Sequence, residues 1–256
     1  MQGHAAGQHE GRWTFSAAGV QAGLDRWDGR LGTMYAGLAS RRSARILGQS
    51  LAALAMLALV AGKWLAVVRV TGSIHSADEL TSWAAFLNQL LQLPFVGLMV
   101  LLIIVRRPAR TGIARLSGIA AALGGTFATS LLVLESNGGL RAALTPPAIV
   151  LLLLGMGWAI WSLATLGRCF SIVPEVRGLV TGGPYRWVRH PVYLGEITAT
   201  LGLLLPILSA WNVAVFAVFC ALQLWRTHNE EAGLAAAFPE YEDYRRRTAR
   251  LVPGLW

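Results

Sequence analysis

The chain has 256 residues, 55% of them hydrophobic and only 14% charged, with a mean hydropathy of +0.52 and a formal net charge of +9. Soluble domains carry about a quarter charged residues, so this composition excludes a single aqueous core and calls for lipid-facing surface. A basic balance suits nucleic acid or a membrane surface; here the positive residues sit between apolar segments, which favours the membrane and leaves no expectation of nucleic-acid binding.

Residues 1–45 are polar, Gly- and Ala-rich, and hold no apolar core of a cleavable signal. This region is expected to be partly disordered or to lie at the interface, anchored by Trp13, Trp27 and Tyr35. A bilayer core takes about 20 mostly apolar residues as helix. Four segments meet that length, at 46–70, 83–105, 116–134 and 146–166, and form a transmembrane region over 46–166. Two shorter runs follow at 192–208 and 211–225, separated by Ser209 and Ala210, which leave room only for a tight turn. The expected fold is therefore all-α and polytopic: four full spans plus a C-terminal helical hairpin, since backbone in lipid must satisfy its own hydrogen bonds.

Basic residues alternate between the connections. Arg41, Arg42 and Arg45 precede the first span, Arg106, Arg107, Arg110 and Arg115 follow the second, Arg168, Arg177, Arg186 and Arg189 follow the fourth, and Arg245, Arg246, Arg247 and Arg250 lie in the tail. The intervening loops hold few. By the positive-inside rule both termini are cytoplasmic. The loop after the fourth span and the tail then flank one hairpin on one face, and residues 167–256 form the region where a site is expected.

Two clusters there carry chemistry. Gly182-Gly183-Pro184-Tyr185-Arg186-Trp187-Val188-Arg189-His190-Pro191-Val192-Tyr193-Leu194-Gly195 begins as a turn and ends by opening a helix, with Pro191 suited to the first turn. That helix N-terminus suits a carboxylate or phosphate. Glu196 lies three residues beyond Tyr193 on the same face. The second cluster, Arg226-Thr227-His228-Asn229-Glu230-Glu231, follows the last apolar run, and the spacing of Arg226 and Glu230 lets them pair on one helix face. An interfacial belt and an ordinary ion pair at a helix exit are the bland readings of the two clusters. Cys169 and Cys220 have neither metal-site spacing nor a disulfide framework, and no metal is expected. Gly124–Gly125, Gly155 and Gly157 permit close helix approach.

The run GPYRWVRHPVYLGE, the later RTHNEE and the ending FPEYEDYRRRTARLVPGLW resemble the isoprenylcysteine carboxyl methyltransferase family and its bacterial relatives. The resemblance covers about residues 163–256, and three separated motifs occur in order. It implies S-adenosylmethionine as methyl donor in a cytoplasm-facing cavity lined by Tyr185, Val188, Arg189, His190, Tyr193, Leu194 and Gly195, with Glu230 and Glu231 completing it. Either glutamate would take the cofactor ammonium; His190 and the helix N-terminus would take its carboxylate. Arg226 would face the methyl acceptor and, with Glu230, form the catalytic pair. A lipophilic or lipidated acceptor would arrive from the bilayer, in the first instance a carboxylate held by the guanidinium. Alternatives are N-methylation of a phospholipid, S-methylation of a thiol, and an NADPH-dependent sterol- or enone-type reductase. The paired glutamates argue against the last, because they would repel a 2′-phosphate. A non-catalytic scaffold is a further alternative. The tail arginines suit contact with membrane lipids.

Overall fold

The structure is a computed structural model that describes residues 79–107, 138–172 and 176–253, with part of 121–133 and scattered positions in 58–68. The N-terminal region and most of the spans expected at 46–70 and 116–134 lie outside the described residues. The regular elements among those described are helices, and their one β-type contact is an isolated parallel bridge between Val188 and Ala249.

Among the described residues five α-helices are delimited, in order α1 (Glu79–Val105), α2 (Gly138–Leu166), α3 (Pro191–Leu204), α4 (Ala210–Ala237) and α5 (Tyr241–Arg247). Among the described residues two segments, Phe86–Val105 and Ala143–Cys169, are long and apolar enough to cross a membrane, and Pro191–Ile207 is a shorter apolar helix. Much of the apolar surface stays uncovered, with Leu101 54%, Ile104 71% and Leu154 64% exposed. Such side chains need a lipid environment, and the chain is accordingly a membrane protein.

Two helices are longer than their apolar runs. α2 starts at Gly138 rather than at Pro146, carrying Pro146 and Pro147 inside it. Proline costs a backbone hydrogen bond, but apolar surroundings leave no better alternative than helix. α4 continues past Trp225 to Ala237, so the Arg226–Glu231 cluster rides on the same rod as the apolar segment. Hydropathy falls at Arg226, whereas helix propensity does not: Glu230, Glu231, Ala232 and Leu234 all favour helix.

α2 and α3 form the tightest pair, and small residues allow it. A Cβ on Gly195 would lie 2.6 Å from the Gly155 carbonyl oxygen, and one on Gly202 would lie 2.7 Å from that of Ala148. Gly155 meets the backbone of Gly195 and Ala199 in the same way, whereas Gly157 has nothing within 4 Å and takes no part. At the turn into α4, Ser209 caps the helix by accepting from the Asn212 amide at 3.2 Å. The fully buried Asn212 side chain donates to the carbonyls of Ile207 (2.7 Å) and Val133 (2.8 Å) and accepts from the Val133 amide. At the opposite end, Arg168 donates to the Val105 carbonyl and the Arg107 amide to that of Arg168, so the ends of α1 and α2 are stitched together.

Candidate functional site

Between α1, α2, α3 and α4 lies a cavity of about 330 Å³. Its polar end is built where the chain enters α3. Gly183 has φ +57°, which a residue without a Cβ adopts freely, and the short 3-10 turn Gly183–Arg186 follows it. Pro191 occupies the first turn of α3 as its motif predicts, leaving His190 as the N-cap residue. The C-terminal segment then pairs with this loop: the amides of Arg189 and His190 donate to the carbonyls of Ala249 (2.8 Å) and Arg250 (3.1 Å). The Tyr244 hydroxyl donates to the Tyr185 carbonyl at 2.6 Å. Val176, Phe238, Tyr241 and Tyr244 pack as an apolar cap over this end.

Glu231 ties this wall together. It accepts from Arg189 Nε at 2.8 Å and from Arg250 Nη2 at 2.8 Å, and lies 3.1 Å from His190 Nε2. The rest of the Arg189 fork donates to the carbonyls of Arg245 and Thr248. Burial works to raise the Glu231 carboxyl, but the bonds from His190, Arg250 and Arg189 outweigh it and hold the group well below the usual carboxylate range. Burial pushes the phenols of Tyr185, Tyr241 and Tyr244 up, so all three are neutral donors at physiological pH.

Glu230 faces the other way. Its carboxylate lines the cavity, accepts from the Tyr193 hydroxyl and lies 3.8 Å from His190 Nδ1. The Arg226 guanidinium stacks over the Tyr193 ring at 4.8 Å and donates to Gln223 Oε1 at 3.1 Å. Gln223, fully buried, donates in turn to Glu196. The direct pair that the Arg226–Glu230 spacing allows is thus replaced by a route through Tyr193, and a second route reaches Glu196 through Gln223.

Of the residues expected at the site, Tyr185, Arg189, His190, Tyr193, Arg226 and Glu230 line the cavity, as does Glu196. Val188, Leu194, Gly195 and Glu231 do not. Val188 is 1% exposed and bridges to Ala249, and Gly195 packs on the α2 backbone. Sequence reasoning missed Asn88 and Gln92, which bring amides from α1 to the cavity and hydrogen-bond to one another at 2.8 Å. Two polar residues at i,i+4 within an apolar span were the available signal. It also missed Asn229 and Tyr241, which line the cavity with Nδ2 and the hydroxyl buried and without a hydrogen-bond partner. Phe95, Met99, Met156, Leu203 and Phe219 add apolar walls, while Thr129, Ser171, Arg177 and Thr200 are further polar lining residues.

Comparison with known proteins bears on the same region. Residues 148–236 match the model of the family described as "Isoprenylcysteine carboxyl methyltransferase (ICMT) family". The chain is 38% identical over 109 residues to the cobalt-zinc-cadmium resistance protein CzcN of Cupriavidus metallidurans, covering 41% of this chain and 50% of that protein. It is 33% identical over 108 residues to the nickel-cobalt-cadmium resistance protein NccN of Alcaligenes xylosoxydans xylosoxydans, covering 40% of this chain and 51% of that protein. The chain thus spans about half the length of these curated relatives. The matched family segment holds α3, the loop before it and nearly all of α4, which together carry His190, Tyr193, Arg226 and Glu230. Over residues 148–236 this protein is similar to the isoprenylcysteine carboxyl methyltransferase family.

Proposed function

We propose that this chain is a multi-pass membrane methyltransferase that binds S-adenosylmethionine at the polar end of the cavity and a lipophilic acceptor at the apolar end. One observation carries the reading: a cavity-lining carboxylate, Glu230, shares the polar end with two buried donors that lack protein partners, Asn229 Nδ2 and the Tyr241 hydroxyl. Buried donors without partners are costly unless a ligand satisfies them. The cofactor's ammonium fits Glu230, and its carboxylate and hydroxyl oxygens fit the two donors. When bound, it supplies an electrophilic methyl group on a positively charged sulfur.

The chain's own contribution is to hold and to exclude. Glu231, Arg189 and Arg250 make the wall rigid, so His190 and Tyr193 stay aimed inward. Apolar walls from α1 and α2 keep water from the transferring group. Alignment of the reacting atoms supplies roughly 7–11 kcal/mol in favourable cases. Arg226 is the group that the resemblance pairs with an acceptor carboxylate, and it does face the cavity.

The arginines around the polar end support a cytoplasmic position for it by the positive-inside rule, with the turn between α3 and α4 as the tip of a helical hairpin on the far side. Arg247, exposed at the end of α5, suits contact with anionic lipid. Among the described residues no group of three or more His, Cys, Asp or Glu is arranged to hold a metal ion, and the metal resistance in the relatives' names supplies no ligand for this reading.

Calorimetric titration of the full chain in detergent tests the proposal. S-adenosylhomocysteine binds wild type at micromolar concentration and binds Glu230→Gln more than tenfold more weakly. Binding of NADPH instead would move the protein to the reductase class, and binding of neither would remove the enzymatic reading.

A further inference from the structure

Glu196 is a carboxylate in the cavity that cofactor binding does not use. It stands three residues along α3 from Tyr193, about 4.5 Å deeper along the helix axis. Beyond it lie Thr200, Leu203 and Phe219; before it lie His190 and Glu230. Glu196 therefore marks the boundary between the polar and apolar ends, where donor and acceptor meet in the methyltransferase reading.

The surroundings of Arg226 bear on what the acceptor is. Through Gln223 the guanidinium is linked to Glu196, and through the Tyr193 ring to Glu230. Gln223 is 0% exposed, so its amide is held in one orientation with both ends engaged. Arg226 thus already has two carboxylates as neighbours, one through Gln223 and one through Tyr193, while Arg177 and Arg189 line the cavity elsewhere. With Glu230 taken by the cofactor ammonium, an acceptor carboxylate at Arg226 would stand beside Glu196, and like charges disfavour one another in a buried space. A neutral head group adds no charge, but methylation releases its proton, and that proton needs a base.

Resting on the methyltransferase reading above, we propose that the acceptor is a lipophilic thiol or phenol and that Glu196 is the base that takes its proton. As the sulfur or oxygen lone pair forms the new bond to the methyl carbon, the donor's carbon–sulfur bond breaks and its electron pair remains on sulfur. The acceptor proton passes to Glu196. One positive charge on sulfur and one negative charge on Glu196 disappear together, so the net charge of the cavity is unchanged and no ion is left stranded. Arg226, aimed by Gln223, stabilises the negative charge that develops on the acceptor atom. General-base catalysis of this kind contributes about 10²–10⁴-fold in rate.

The test uses the full chain in detergent with S-adenosylmethionine and three acceptors of equal tail: dodecanethiol, 4-dodecylphenol and dodecanoic acid. Wild type is expected to methylate the thiol or the phenol in preference to the acid. Glu196→Gln, which retains a hydrogen bond to Gln223, is expected to lower kcat about 100-fold or more while leaving S-adenosylhomocysteine affinity and melting temperature unchanged. Glu196→Asp recovers part of the rate. Methylation of the acid alone, methylation of none of the three by a chain that binds S-adenosylhomocysteine, or an unchanged kcat in Glu196→Gln would each overturn the proposal. Failure of wild type to bind S-adenosylhomocysteine would instead overturn the methyltransferase reading on which it rests.

Discussion

Glu230 and Glu231 are adjacent on α4 yet have opposite surroundings: the first lines the cavity beside Tyr193, and the second is buried against Arg189, His190 and Arg250. Successive helix residues point about 100° apart, so one position faces the cavity and its neighbour faces the wall. Neutralising the two should therefore have different effects. Glu230→Gln weakens cofactor binding with little effect on folding. Glu231→Gln leaves three basic side chains around a neutral amide and lowers stability by about 3 kcal/mol, the scale of a broken buried ion pair. Calorimetry and thermal unfolding of both variants in the same detergent separate the two roles.

Acid should act through the same wall. The Glu231 carboxyl is held well below its usual range when folded, so its contribution to stability is complete above the unfolded value of about 4.3. That contribution is lost as pH falls from there toward the folded value. Wild type should lose melting temperature more steeply below about pH 4.5 than Glu231→Gln does. Parallel curves for the two proteins between pH 6 and pH 3 would contradict this assignment.

Asn229 and Tyr241 offer a different signature. Neither Asn229 Nδ2 nor the Tyr241 hydroxyl has a protein partner to lose. Asn229→Ala and Tyr241→Phe should each reduce S-adenosylhomocysteine affinity by about three- to tenfold, the worth of one hydrogen bond, without lowering the melting temperature. A drop in melting temperature with unchanged affinity would make them structural instead.

Glycines on α2 and α3 can be sorted in the same manner. Gly195→Ala puts a methyl group 2.6 Å from the Gly155 carbonyl oxygen and should cost about 1–3 kcal/mol, pushing α3 away from α2 and distorting the cavity. Gly157→Ala meets nothing within 4 Å and should be neutral or mildly stabilising through helix propensity. Thermal unfolding of the pair checks both.

Much of the site was legible in the sequence because local chemistry wrote it. Gly-Gly-Pro made the turn, Pro191 opened α3, and the spacing of Tyr193 and Glu196 placed both on the cavity face. The extent of α4 was not legible from hydropathy, which reports lipid burial and drops at Arg226 although the helix runs on. Which glutamate faces the cavity depends on the rotational phase of α4 against its neighbours, a tertiary property that two identical residues cannot disclose. The docking of the tail is likewise hidden, since it runs through main-chain bonds from Arg189 and His190 to Ala249 and Arg250. Asn88 and Gln92 were visible as amides in an apolar run, but only packing shows that they turn toward the cavity.

The uninterrupted course of α4 from Phe219 to Glu230 makes it a ruler. Both residues line the cavity, one at its apolar end and one at its polar end, and the eleven steps between them span about 16 Å of helix. The separation of the two chambers is thus written in residue number, and so is their relative rotation. A single alanine inserted after Gln223 would turn everything beyond it by about 100° while leaving the composition almost untouched. Arg226 and Glu230 would then leave the stripe that begins at Phe219, and the two halves of the cavity would no longer open onto one another. The register of one helix, more than any single side chain on it, is what keeps the two ends of this cavity in a common line.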